Sequence, residues 1–151
     1  MKHMQLRSLI RQVLSPCGLY SEAAEELLIM TAAAESLGGQ FIYQVGGPAV
    51  GIFQMEPNTH DDIWENYLKY KPALASETDF WTHSKDSEAL VYNLAYAILM
   101  ARIHYLRVAE PLPPATDIDG LAYYWKKYYN TYLGKGTVRK AKEKYLAYIA
   151  G

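Results

Sequence analysis

The chain has 151 residues, half of them hydrophobic, with 15 Lys and Arg against 16 Asp and Glu and a formal net charge of -1. This length favours one domain over residues 1–151 with a sizeable core, and the lack of repeats or low-complexity tracts points to a folded, soluble domain. The near-neutral charge argues against a dedicated nucleic-acid binder, and the single Cys17 excludes an internal disulfide; with no histidine near it in sequence, Cys17 is read as a packing residue.

In chain order, Leu6, Leu9, Ile10, Val13 and Leu14 follow helical spacing and predict a helix over about 4–14, ended by Ser15-Pro16-Cys17-Gly18. Arg7 and Arg11 interrupt its apolar positions, which argues against a signal peptide or membrane anchor. Ser21 caps a second helix with Glu22, Glu25 and Glu26 at its positive end and Leu27, Leu28, Thr31 and Ala34 toward the core. Gly38 and Gly39 stop it, so Glu35 falls in its last turn. There the negative end of the helix dipole and the apolar neighbours Ala32, Ala33 and Leu37 both disfavour the charged carboxylate. A carboxyl still protonated near neutral pH suits proton donation to a leaving glycosidic oxygen; the bland alternative is an exposed helix-terminal Glu.

From Ser36 through Met55 there is no Asp, Glu, Lys or Arg, but Ser36, Gln40, Gln44 and Gln54 supply neutral polar groups. Such a stretch suits sugar hydroxyls, and Gly46-Gly47-Pro48 permits a sharp bend. The expectation is a small β-hairpin with arms 40–45 and 50–55, Gln54 facing Glu35. Glu56 follows as the nearest acid. Two-carboxylate glycosidases place a second acid about 5 to 10 Å from the donor, so Glu56 is the candidate for that role; otherwise it merely closes the segment before Pro57.

Next, Thr59 is predicted to cap a helix with Asp62 completing a capping box, and Ile63, Trp64, Tyr67 and Leu68 form its buried stripe. Capping explains His60-Asp61-Asp62 better than a metal does, so no metal site is assigned. Residues 71–86 read as a long connection in which Trp81 either pins the loop to the core or stacks on a sugar. A helix over about 87–108 is apolar nearly all round, as a central helix would be, and His104 near its end is taken as a packed or surface residue. After Pro111, Pro113 and Pro114, Asp117 or Asp119 starts a helix carrying Tyr123, Tyr124, Trp125, Tyr128, Tyr129 and Asn130. Its aromatic rings serve as core, or as sugar-stacking faces. Gly134-Lys135-Gly136-Thr137 lacks the spacing of a phosphate loop and reads as a turn in which Thr137 caps the last helix, with Val138, Ala141, Tyr145 and Ile149 on one stripe. Lys126, Lys127, Lys135, Arg139, Lys140, Lys142 and Lys144 make this end basic: a solvated face, or one drawn to an anionic envelope surface.

Glu35-Ser36, Gly51-Ile52-Phe53-Gln54 and Tyr128-Tyr129-Asn130 resemble, in order and spacing, the Glu-Ser, Gly-Leu-Met-Gln and Ala-Tyr-Asn signatures of the soluble lytic transglycosylases of the lysozyme-like superfamily. The likeness spans roughly 21–135, and the wording of 48–68 is similar to small phage-encoded members. Ile52-Phe53 stands for Leu-Met, and Tyr128 for the Ala. The resemblance implies a mainly α, lysozyme-like fold with the small β-hairpin beside a cleft. It implies cleavage of the bond between N-acetylmuramic acid and N-acetylglucosamine in peptidoglycan glycan strands, with a 1,6-anhydro product. Glu35 would be the one catalytic acid, Tyr129 would orient it with help from Asn130, and Ser36, Gln44 and Gln54 would meet substrate. No cofactor is implied. Such a protein would leave the host cytoplasm through a holin or travel in a virion, and act in the cell wall or periplasm. Two rivals stay open: a hydrolytic muramidase using the same acid, and a non-catalytic peptidoglycan-binding or structural virion component. DNA packaging through the basic end is a remote third.

Overall fold

A computed structural model describes residues 1–82, 84–130 and 134–151. Its α-helices are α1 (His3–Leu14), α2 (Glu22–Ser36), α3 (Pro57–Asn66), α4 (Pro72–Phe80), α5 (Ala89–Tyr92), α6 (Leu94–Leu106), α7 (Ile118–Trp125) and α8 (Val138–Ala150), with a 3-10 turn over Leu68–Tyr70 and a π-helical turn over Lys126–Asn130. The protein is therefore mainly helical. Among the described residues no helix is long and apolar enough to cross a membrane.

Two helices organise the core. In α2, Leu27, Leu28, Ile29 and Met30 are all fully buried, because α1, α6, α7 and α8 pack around it. In α6 the run Tyr96–Ala101 is likewise buried, so the absence of a polar face in its sequence reflects neighbours on every side. Burying each large aliphatic side chain contributes about 1.5–3 kcal/mol, which makes these two helices the main source of hydrophobic stabilisation. Charge is also built in at the start of α2. Arg7 of α1 binds Glu25 at 2.9 Å and Glu26 through both terminal nitrogens at 2.6 and 2.8 Å, Arg11 binds Glu25 at 2.6 Å, and Tyr145 of α8 donates to Glu26. Burial acts to raise both carboxyls, but the arginine bonds outweigh it and hold them below their ordinary values. Glu25 and Glu26 thus tie three helices together as well as serving the helix dipole.

Several boundaries differ from expectation. Residues 71–86 are not a loop throughout: Pro72 sits in the first turn of α4, where its missing N–H costs nothing, and Thr78 Oγ1 donates back to Leu74 O at 2.7 Å. The expected helix over 87–108 is broken at Asn93 (φ -111°, ψ 93°), whose side chain accepts from Tyr96 N and caps α6. Thr59 does not cap α3; the helix begins three residues earlier than that cap would place it, because Pro57 is prearranged for its first turn, and Asp62 instead binds Arg107 at 2.8 Å. Ser21, Asp117 and Thr137 do cap α2, α7 and α8.

The hairpin is the main correction. Among the described residues there is no strand, only isolated antiparallel bridges between Tyr43 and Val50 and between Val50 and Met55. Gln44 N reaches Ala49 O at 2.9 Å and Gly51 N reaches Ile42 O at 2.8 Å, so the two arms do meet. They cannot continue as a ladder, because Gly51 (φ 82°) and Gln54 (φ 48°) turn the second arm back on itself and Val50 pairs with Met55 instead. An extended arm needs negative φ at every residue.

Candidate active site

Glu35 lies in the last turn of α2, which ends when Leu37 adopts the left-handed conformation (φ 53°, ψ 43°) and its N–H returns to Ala33 O. The acid is thus fixed by a rigid helix whose termination is itself well defined. Its carboxyl accepts a hydrogen bond from Trp125 Nε1 at 2.9 Å. Burial pushes Glu35 up from 4.5 to about 7; Trp125, the Asn130 side chain, Lys144 and Lys126 pull the other way without cancelling it. Lys144 also reaches Ala34 O at 3.4 Å, the carbonyl just before the acid. The result is a carboxyl poised near neutrality, able to give a proton and take one back.

The two other motifs converge on the end of this helix. Ser36 is fully buried, and its hydroxyl donates to Ile52 O at 2.6 Å while accepting from Gly39 N at 2.8 Å. From the opposite side Tyr129 OH donates to Phe53 O at 2.7 Å. The tight turn Gly51–Gln54 is therefore clamped by the residue that follows the acid and by the π-helical turn after α7. Gln54 sits in that turn, 8% exposed, with Nε2 donating to Gly51 O at 2.9 Å. Leu37 and Gln54 are the non-glycine residues at positive φ among those described, and both flank Glu35's surroundings; strained backbone collects where geometry is over-determined for function.

Tyr129 does not bond Glu35. Trp125 holds the acid, whereas Tyr129 holds the turn beside it. The reason is helical geometry: α7 widens by one residue per turn at Lys126, so Trp125 and Asn130, five apart, come to the same carboxyl, and the Tyr129 hydroxyl is carried past it to Phe53. Lys126 secures Asn130, donating to its Oδ1 at 2.7 Å and to Gly134 O at 3.1 Å. Trp125 was visible in the sequence only as one ring among many. Its 125/129/130 spacing with Tyr129 and Asn130 was the available signal.

Behind the site an aromatic layer fixes Tyr129. Its ring lies 4.9 Å from His104, edge to face, and 5.3 Å from Tyr105, whose hydroxyl bonds Thr31 Oγ1 at 2.7 Å. Burial, then the Arg107 charge, lowers His104 to about 4; its Nδ1 faces the Arg107 guanidinium at 2.8 Å and must accept, so the ring stays neutral and serves as a wedge. Tyr105 and Tyr129 are pushed well above 10 by burial and by the nearby Glu35 charge, and neither ionises near neutrality.

The remaining candidates lie apart from this constellation. Gln44 is exposed and its Oε1 accepts from Ala49 N at 3.1 Å, which steadies the bend at Gly46-Gly47-Pro48. Ser36 has no free surface with which to meet a ligand. Glu56 is exposed at the start of α3, and the charged groups that weigh most on Glu35 are the two lysines. His60 is buried with Nε2 on Tyr96 OH at 2.6 Å and Nδ1 on Asp61 at 2.9 Å, and no group of metal-binding side chains occurs among the described residues. Cys17 is half-buried with Sγ on the Leu14 carbonyl at 3.4 Å. Trp81 packs against the core edge, its carbonyl receiving Asn93 Nδ2 at 2.6 Å. Compared with family models, curated proteins and solved structures, the chain matches none of them.

Proposed function

We propose that the protein is a lytic transglycosylase of lysozyme-like fold that cleaves the β-1,4 bond between N-acetylmuramic acid and N-acetylglucosamine in peptidoglycan. The observation that carries this reading is Glu35: one half-buried carboxyl, raised to about 7 by loss of solvent, held by Trp125 where the Glu35-Ser36, Gly51–Gln54 and Tyr129-Asn130 segments meet. At pH 7 about half of such a group is protonated, enough to serve as general acid without a second residue to tune it. Glu35 donates its proton to the glycosidic oxygen as that bond breaks. The substrate's own acetamido oxygen attacks the anomeric carbon and carries the positive charge, a substrate-assisted route that needs no second carboxylate. Glu35, now ionised, takes the proton from the sugar's 6-hydroxyl as that oxygen closes on the anomeric carbon and expels the acetamido group. The product is a 1,6-anhydro muropeptide, and the acid is regenerated.

Residues 40–48, the exposed part of the charge-free segment, supply the wall that meets the neutral sugar rings, and Gln54 lies in the turn that Ser36 clamps. Release through a holin or carriage in a virion would bring the enzyme to the wall, and no cofactor takes part. Purified protein incubated with sacculi, followed by mass spectrometry of the soluble products, tests the reaction. Anhydro ends, lost in the Glu35→Gln variant, are the expected result. Reducing ends would make the protein a muramidase in which water attacks, and sacculus binding without soluble products would make it a binding or structural component.

A further inference from the structure

A cavity of about 240 Å³ opens between the end of α2 and the start of α8, lined by Ala34, Trp125, Gly136 and the lysines Lys135, Lys140 and Lys144. We propose that this cavity is a subsite for a carboxylate of the peptide stem borne by the muramyl residue at the scissile bond. The proposal rests on the peptidoglycan reading above and extends it from the glycan to its charged substituent.

Position carries the first part of the argument. Trp125 is the shared wall: its Nε1 bonds Glu35 while its ring faces the cavity, and Ala34 is the residue next to the acid. The far edge of the same ring lies so close to Gly136 that a Cβ there would stand 2.7 Å from it, so the cavity floor is built directly on the residue that holds the acid. The opening therefore borders the acid through Trp125 and Ala34, the neighbourhood that a substituent on the cleaved sugar would enter.

Charge carries the second part. The segment from Ser36 to Met55, which would meet the sugar rings, holds no ionisable side chain apart from Tyr43, so it offers nothing to an anion. Lys135 and Lys140 are exposed and make no ion pair among the described residues, and the exposed Lys144 makes a long contact to the Ala34 carbonyl and acts on the Glu35 carboxylate through its charge. Other lysines at this end are engaged: Lys142 binds Asp119 at 2.6 Å and Lys126 binds Asn130. The Thr137 oxygen accepts from Lys140 N as the α8 cap, and the positive charge at the cavity comes from the lysines. Size is the third part. The volume falls below the roughly 300–1,000 Å³ of sites that enclose a drug-sized ligand, and so fits a side group and not a sugar ring.

The test uses the full chain as the Glu35→Gln protein, which binds without turnover, with Lys135→Gln/Lys140→Gln added. Binding is measured to soluble glycan strands carrying peptide stems and to the same strands after an amidase has removed them. Partly exposed charge pairs are each worth up to a severalfold change, so affinity for stem-bearing strands should fall about fivefold to tenfold while that for stem-free strands stays within about twofold. A charge-matched control, Lys69→Gln/Lys71→Gln, should leave both unchanged. Equal losses on both strands, no loss on either, or a loss seen only on anionic phospholipid vesicles would overturn the subsite. If the Glu35→Gln parent binds neither strand, the peptidoglycan reading itself fails and the subsite falls with it.

Discussion

Replacing Glu35 by Gln should make the folded protein more stable, increasingly so as pH rises. The glutamine keeps an oxygen for Trp125 Nε1 at a similar position but cannot ionise. In the folded protein burial raises Glu35 from 4.5 to about 7, whereas in the unfolded chain the carboxyl ionises near its ordinary value. Between those two values the unfolded chain holds fewer protons than the folded one, so stability falls as pH rises through this window and the loss is complete above about 7. The gap between 4.5 and about 7 corresponds to roughly 3 kcal/mol, a sizeable part of the total for a domain whose net stability is of order 5–15 kcal/mol. Urea unfolding of both proteins, in one-unit steps from about pH 4 to about pH 8, reads this directly. The difference between variant and parent should grow across the window and then level off. Paired acids such as Glu25, Glu26 and Asp62, which are held low, give the opposite slope, but they are common to both proteins and cancel in the difference. A difference that is the same at every pH, or that shrinks as pH rises, would refute the claim that this carboxyl is desolvated.

Trp125→Phe removes the hydrogen bond that favours the ionised carboxylate while leaving most of the ring. The alkaline midpoint of the lysis-versus-pH profile should move upward from about 7 by roughly one pH unit, and an unmoved midpoint would mean that Trp125 only packs against the acid. At Gly51, a methyl group meets a positive φ of 82° and collides with the Leu90 carbonyl oxygen, so Gly51→Ala should cost about 3 kcal/mol or more in urea unfolding. Gly18→Ala is the comparison: φ is also positive at 72° but no atom lies within 4 Å, and the cost should be about 1 kcal/mol. Equal costs at the two glycines would mean that the Gly51–Leu90 approach relaxes freely.

Much of this arrangement was written locally. The caps at Ser21, Asp117 and Thr137, the helix that ends just beyond Glu35 and the apolar run of α6 follow from short-range rules, because a cap or a periodic stripe involves residues within a turn of one another. The convergence of Glu35-Ser36, Gly51–Gln54 and Tyr129-Asn130 was implied only by the resemblance of the three motifs to a known family, and their bonds were not implied at all. Whether Trp125 or Tyr129 would reach the acid depended on one extra residue in the π-helical turn, and whether Ser36 would face solvent or a carbonyl depended on where residues 50–55 folded back. The sequence by itself determined that an acid would stand at the end of an apolar helix next to a charge-free segment. Only the tertiary structure decided how deeply that acid is buried and what holds it, because desolvation and hydrogen bonding arise from α7 and α8, about 90 and 110 residues further along the chain.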